Sequence, residues 1–196
     1  MMIFTGFLDS IIHIFADFFA TLVAMKPIEK HAFEQLLGIV PNHPSVRIGH
    51  FCDSGDAMQR MLADFCEARG YEYRINAVEK GYAESLQETF GNLPHVKLNY
   101  FALKRPNYAV QGKLYDYLFV TADIDEAIRE DFLKKAHPAI KNGGNIIFLL
   151  PKGDLALRDE WSALLEEHYY VATNVIDDLF EHYDVLISRK MHGWGG

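Results

Sequence analysis

The chain has 196 residues, 49% hydrophobic and 23% charged, which suits one globular domain with a substantial core and excludes extended disorder. Its net charge of −8 at pH 7 argues against a nucleic-acid binder, which needs a basic face to displace counterions. The two cysteines, Cys52 and Cys66, make neither a CxxC pair nor a disulfide framework, and no secretory signal is apparent, so a reducing cytoplasm is the expected compartment.

Residues 1–25 are strongly apolar, but Thr5, Asp9, His13, Asp17 and Thr21 recur at every fourth position. On a helix this spacing makes a narrow polar stripe, with Phe and Leu covering the rest. Two acids would each cost about 2.5–3.5 kcal/mol near a bilayer centre, so a transmembrane span is not expected. An interfacial helix would carry basic residues on its polar face, and none precedes Lys26. Packing against the domain or a second copy remains, and a homodimer contact is expected. Asp9, His13 and Asp17 read as a solvated stripe rather than as metal ligands. A second helix is expected over residues 27–37, with Pro27 in its first turn and Gly38 at its stop. Pro41 and Pro44 then stiffen a connector. The expected domains are therefore an N-terminal helical arm, 1–45, and an α/β domain, 46–196.

Beyond the connector, strand and helix patterns alternate. A strand over 46–52 precedes a helix marked by Met58, Met61, Leu62, Phe65 and Cys66 and stopped by Gly70. Asp56 and Gln59 have the spacing of a capping box. Further strands are expected over 72–78, 96–103, 115–121 and 145–150. Tyr82, Leu86 and Phe90 mark one intervening helix, Ile124, Ile128 and Phe132 another, and Leu157, Trp161, Leu164 and Leu165 a third. The last strands, 170–176 and 183–189, are too close in sequence for a crossover helix and should pair antiparallel. The expected fold class is α/β, a doubly wound, mostly parallel seven-stranded sheet with a C-terminal antiparallel hairpin.

Ligands of such sheets bind beyond the C-terminal strand ends, near the reversal of strand order. The turn of residues 46–56 reads VRIGHFCDSGD, with a single glycine after the strand, Gly55, flanked by Asp53 and Asp56. Two carboxylates there oppose a phosphate, so a Walker-type or classical NAD site is disfavoured. Glu79 follows Asp56 by about twenty residues, the offset at which an acid grips ribose hydroxyls.

A ligand with a positive centre and no phosphate is compatible with this turn, and the segment order resembles a class I S-adenosylmethionine-dependent methyltransferase domain. The most specific stretch is LYDYLFVTAD…FLKKAHPAIKNGGNIIFLLPKGD, residues 114–154, which looks like that family's fourth strand, the next helix and the proline-glycine-glycine turn into the fifth strand. The similarity covers about residues 46–190. It implies S-adenosylmethionine as cofactor and a small-molecule or protein methyl acceptor. Glu79 would take the ribose hydroxyls, His50, Cys52, Asp53, Ser54 and Gly55 would form the loop beneath the cofactor, and Thr121 and Ala122 would line its methionine end. Asp123 would be the base or acceptor anchor. The family pattern has an acid and then glycines two apart, whereas this chain has His50, Cys52, Ser54 and Asp56. That departure motivates the alternative of a non-catalytic binding or scaffold protein that has lost the cofactor.

Overall fold

A computed structural model describes residues 25–108 and 114–191, so the expected helix over 1–25 lies, but for its last residue, outside the described residues. Seven strands, β1 (Arg47–Cys52), β2 (Glu72–Ala77), β3 (Val96–Tyr100), β4 (Tyr115–Val120), β5 (Ile140–Pro151), β6 (Tyr170–Ile176) and β7 (Tyr183–Lys190), form one sheet in the order β3-β2-β1-β4-β5-β7-β6. The first five are parallel, and β7 runs antiparallel to both β5 and β6. The expected hairpin is therefore present, and β7 is inserted between β5 and β6. Burial accounts for this order. β7 is covered along most of its length, whereas β6 exposes Ala172, Asn174 and Val175 as an edge strand can.

The period-two alternation of each strand sends side chains to two separate cores. On one face Ile48, Tyr73, Ile75, Tyr117, Phe119 and Ile147 meet α1 (Lys30–Leu37), α2 (Ala57–Arg69) and α3 (Lys80–Phe90). On the other, Phe51, Leu118, Val120, Ile146 and Phe148 meet α4 (Arg129–Ala136) and α5 (Leu155–Glu167). Each fully buried Phe or Leu contributes about 1.5–3 kcal/mol. Gly49 allows a close approach on the second face, where an added Cβ would lie 2.7 Å from the Tyr115 ring.

One expectation changes at the N-terminal side. Helix α1 starts at Lys30 rather than near Pro27, because the Lys26 carbonyl accepts from the Tyr183 hydroxyl at 2.8 Å and the next residues stay extended. The helix also belongs to the first core, with Phe33 fully buried and its ring 6.2 Å from that of Phe119.

Among the described residues, no helix lies between β3 and β4. Phe101 and Tyr108 from this crossover fill the second face instead, with ring centres 5.1 and 5.5 Å from Phe51. The outer half of that face is left to polar side chains. Glu72 accepts from Arg74 at 2.6 Å and from Lys97 at 3.0 Å. Among the described residues, no helix is long and apolar enough to cross a membrane.

Candidate active site

The loop from β1 into α2 is shaped by Gly55, whose φ of 69° is a left-handed value that glycine adopts without a Cβ penalty. The expected capping box does not form. Asp56 instead binds the Arg60 guanidinium at 2.7 Å. Gln59 is buried, and its amide nitrogen donates to the Tyr82 hydroxyl at 2.6 Å. Tyr82, from the first turn of α3, shares its proton between the carbonyls of Ser54, at 3.1 Å, and Gly55. The turn is therefore held by side chains from two helices, where a glycine-rich loop would leave backbone facing a ligand.

His50 and Cys52 point into the first core and are fully buried. The His50 ring lies 2.9 Å (Nδ1) from the Tyr73 hydroxyl and 2.8 Å (Nε2) from Thr121 Oγ1. With the proton on Nε2, the ring donates to Thr121, Thr121 reaches on to the Phe51 carbonyl at 3.5 Å, and Nδ1 accepts from Tyr73. Burial lowers the His50 pKa to about 3, so the ring is neutral at physiological pH. Both nitrogens are used within the protein, which leaves His50 as a structural clamp between β1, β2 and β4. Burial likewise pushes the Cys52 thiol up to about 12, and its sulfur is closed off from the crevice.

Asp53 and Ser54, but not Gly55, line an open cleft of about 430 Å³ beyond the C-terminal ends of β1, β4 and β5, where the strand order reverses. They face it from the β1 side, and Thr121, Ala122 and Asp123 line it from the β4 side. The Asp53 carboxylate joins these two groups, accepting from the Asp123 backbone N–H at 2.7 Å and from the Ser54 hydroxyl at 2.8 Å. Glu79 stands apart from this cleft. It is exposed at the end of β2, immediately before α3.

Several lining residues had no signal in the sequence. Phe148, Leu150 and Pro151 come from the end of β5, and His182 and Tyr183 from the β6–β7 turn. Met25 and Lys26 precede α1, and Arg129 opens α4. Trp161 and Leu157 were legible only as one face of a helix, and the cleft uses that same face. Among the described residues, no group of three or more His, Cys, Asp or Glu side chains is placed to hold a metal ion.

No protein-family model matches the chain, and no curated protein matches it in sequence. Solved structures do match. A TehB-like S-adenosylmethionine-dependent methyltransferase from Corynebacterium glutamicum superposes with a TM-score of 0.63 at 13% identity, over 93% of this chain and 97% of that one. The fold is that of the class I S-adenosylmethionine-dependent methyltransferases. The tRNA (m1A58) methyltransferase TrmI from Aquifex aeolicus matches with a TM-score of 0.58 at 20% identity, over 84% of this chain and 69% of that one. The CMeT domain of citrinin polyketide synthase gives a TM-score of 0.61 at 13% identity, over 82% of this chain. The chain spans about half the length of that domain, 51%. Identities this low establish the methyltransferase fold and nothing finer.

Proposed function

We propose that this chain is an S-adenosylmethionine-dependent methyltransferase acting on a small-molecule or protein acceptor. The observation that carries this reading is the cleft at the reversal of strand order, with the Asp53 and Asp123 carboxylates on its rim. No basic residue occurs in the loop of residues 52–56, and Arg60, the first cation beyond it, is paired with Asp56. A phosphate finds no counter-charge in that loop, and the cations that line the cleft, Lys26 and Arg129, come from elsewhere in the chain. A ligand with a sulfonium and an ammonium group finds two carboxylates.

The residues present fit such a ligand. Asp53, Ser54, Thr121 and Ala122 would hold its methionine end, and Glu79, beyond the cleft at the end of β2, would take the ribose hydroxyls. When bound, S-adenosylmethionine supplies an electrophilic methyl group. The protein's task is then to align the acceptor and remove a proton where the acceptor carries one. Asp123 is exposed on the cleft rim with its backbone fixed by Asp53, and is the candidate base or acceptor anchor.

Calorimetric titration with S-adenosylmethionine and S-adenosylhomocysteine tests this reading. Binding is expected, and no detectable heat at millimolar ligand would overturn it. That negative result would favour the second reading, a non-catalytic binding or scaffold protein, for which the internally clamped His50 and the Tyr82-held turn are the specific observations. The apolar pattern of residues 1–24 supports a homodimer. Deleting that segment should yield a monomer, and a dimer that persists would reject this contact.

A further inference from the structure

Building on the methyltransferase reading, we infer that Arg129 determines acceptor specificity and that the acceptor is a small carboxylic acid with a flat apolar body. Arg129 opens α4, directly after the loop that follows β4, and its side chain is 14% exposed while lining the cleft. Its Nε donates to the Ile124 carbonyl at 3.1 Å, and Nη1 pairs with Glu160. Its guanidinium carbon lies 5.7 Å from the centre of the Trp161 ring. The planar head is therefore held by three neighbours, two from α5 and one from the loop after β4.

A guanidinium has five N–H donors and keeps its charge at any physiological pH. Two of the five are satisfied by Ile124 and Glu160, and among the described residues no acceptor meets the donors of Nη2. Unused charged donors on a fixed, mostly buried guanidinium suit a carboxylate better than any neutral group, because each bond is charge-assisted and two form in parallel. The wall beside Arg129 sets the rest of the ligand. Trp161 and Phe148 have ring centres 4.4 Å apart, and Leu157 and Leu150 continue the same apolar surface. That surface takes a flat hydrocarbon or aromatic body. Asp53 and Asp123 repel an acid that, unlike the methionine end of the cofactor, has no ammonium group to offset its charge, so the acid is oriented with its charged end on Arg129 and its other end toward Asp123.

The test uses the full-length protein and two probes of nearly equal shape, 3-phenylpropanoate and 3-phenylpropanamide, titrated without cofactor. The acid should bind roughly tenfold more tightly than the amide, as expected for charge-assisted bonds to a guanidinium. Arg129→Gln should erase that preference. Because this variant leaves Glu160 unpaired and can lose its fold, Glu160→Gln is the second variant. It keeps the guanidinium and an amide oxygen that can still accept from Nη1, and removes a competing negative charge, so it should tighten acid binding by several-fold. A purely structural Arg129–Glu160 pair would not produce that gain. Equal binding of acid and amide by the natural protein, or unchanged acid affinity in Glu160→Gln, would overturn the inference. Titration with S-adenosylhomocysteine separates the two levels. Cofactor binding without acid preference rejects the acceptor assignment alone, whereas acid preference without cofactor binding rejects the transferase and keeps the carboxylate site.

Discussion

The Asp53 carboxylate accepts the backbone N–H of Asp123 at 2.7 Å, tying the loop after β1 to the loop after β4 across the reversal of strand order. The two residues are 70 positions apart, so this contact exists only once the parallel strands between which it forms are paired. Asp53→Ala removes both this bond and the one from Ser54, and should cost about 1–2 kcal/mol of stability. Asp53→Asn keeps a carbonyl oxygen and should recover most of the loss. Urea unfolding with an unchanged m-value measures both. An alanine variant as stable as the natural chain would show that the bridge contributes nothing.

Glu79 offers a cleaner test of ligand binding, because it is exposed and its removal should leave the fold intact. Glu79→Ala should weaken S-adenosylhomocysteine by about 1.5–3 kcal/mol, the range for a hydrogen bond to a charged group. Calorimetry reads the change, and an unaltered affinity would remove Glu79 from the site.

His50 predicts a pH dependence of stability. The folded ring has a pKa near 3 because of burial, against an ordinary value of 6.5, so the unfolded chain binds a proton that the folded protein refuses. His50 therefore favours folding fully above pH 6.5, and its contribution falls away as pH drops from 6.5 toward 3. His137, lowered to about 4 chiefly by burial and then by the Lys190 charge, acts in the same direction. His50 should lower stability by about 1.4 kcal/mol per pH unit within its window, and the half-buried His137 by less because solvent screens it. Replacing His50 with Asn should flatten the curve by one proton. If unfolding free energies at pH 4.5 to 7.5 keep the same slope in that variant, the assignment of a neutral buried ring fails.

Two glycine substitutions should have opposite outcomes. At Gly49 a Cβ would meet the Tyr115 ring at 2.7 Å and Leu118 at 2.9 Å, and Tyr115 is held by a bond from Asn76 at 3.3 Å. Gly49→Ala should therefore destabilise by about 1–3 kcal/mol through overpacking. At Gly81, in the first turn of α3, a Cβ meets nothing within 4 Å, and Gly81→Ala should be neutral or stabilise by about 0.4–1 kcal/mol. Thermal unfolding of both variants checks the contrast, which a loss of stability in Gly81→Ala would contradict.

Most of the sheet was legible because burial imposes its period on each segment. Ile48 and Cys52 alternate with Phe51 to reach opposite cores, and Met58, Leu62 and Cys66 recur at the helical spacing that α2 buries. The end of β5 was legible too, but its start was not. The Gly143–Gly144 stretch forms an irregularity, so that Ile140 pairs with Tyr115 and Asn145 with Tyr117, and the strand begins five residues early. The capping box failed because Gln59 found better partners in Tyr82 and the Ser54 carbonyl, which lie outside its own helix.

By itself, then, the sequence determined the elements and their alternation, and it set two carboxylates beside the single glycine of the first turn, since these follow from periodicity and from residues adjacent in the chain. Tertiary structure decided which loop residues face a ligand. His50, Asp53, Ser54 and Thr121 are equally polar and equally placed at strand ends, yet the pairing of β1 with β2 and β4 turns His50 inward onto Tyr73 and Thr121 and sends Asp53 outward to Asp123. Tertiary structure also brought Arg129 and Trp161 to the same cleft wall, from separate helices. A side chain's partners depend on strands and helices far away in sequence, and no local pattern encodes that distance.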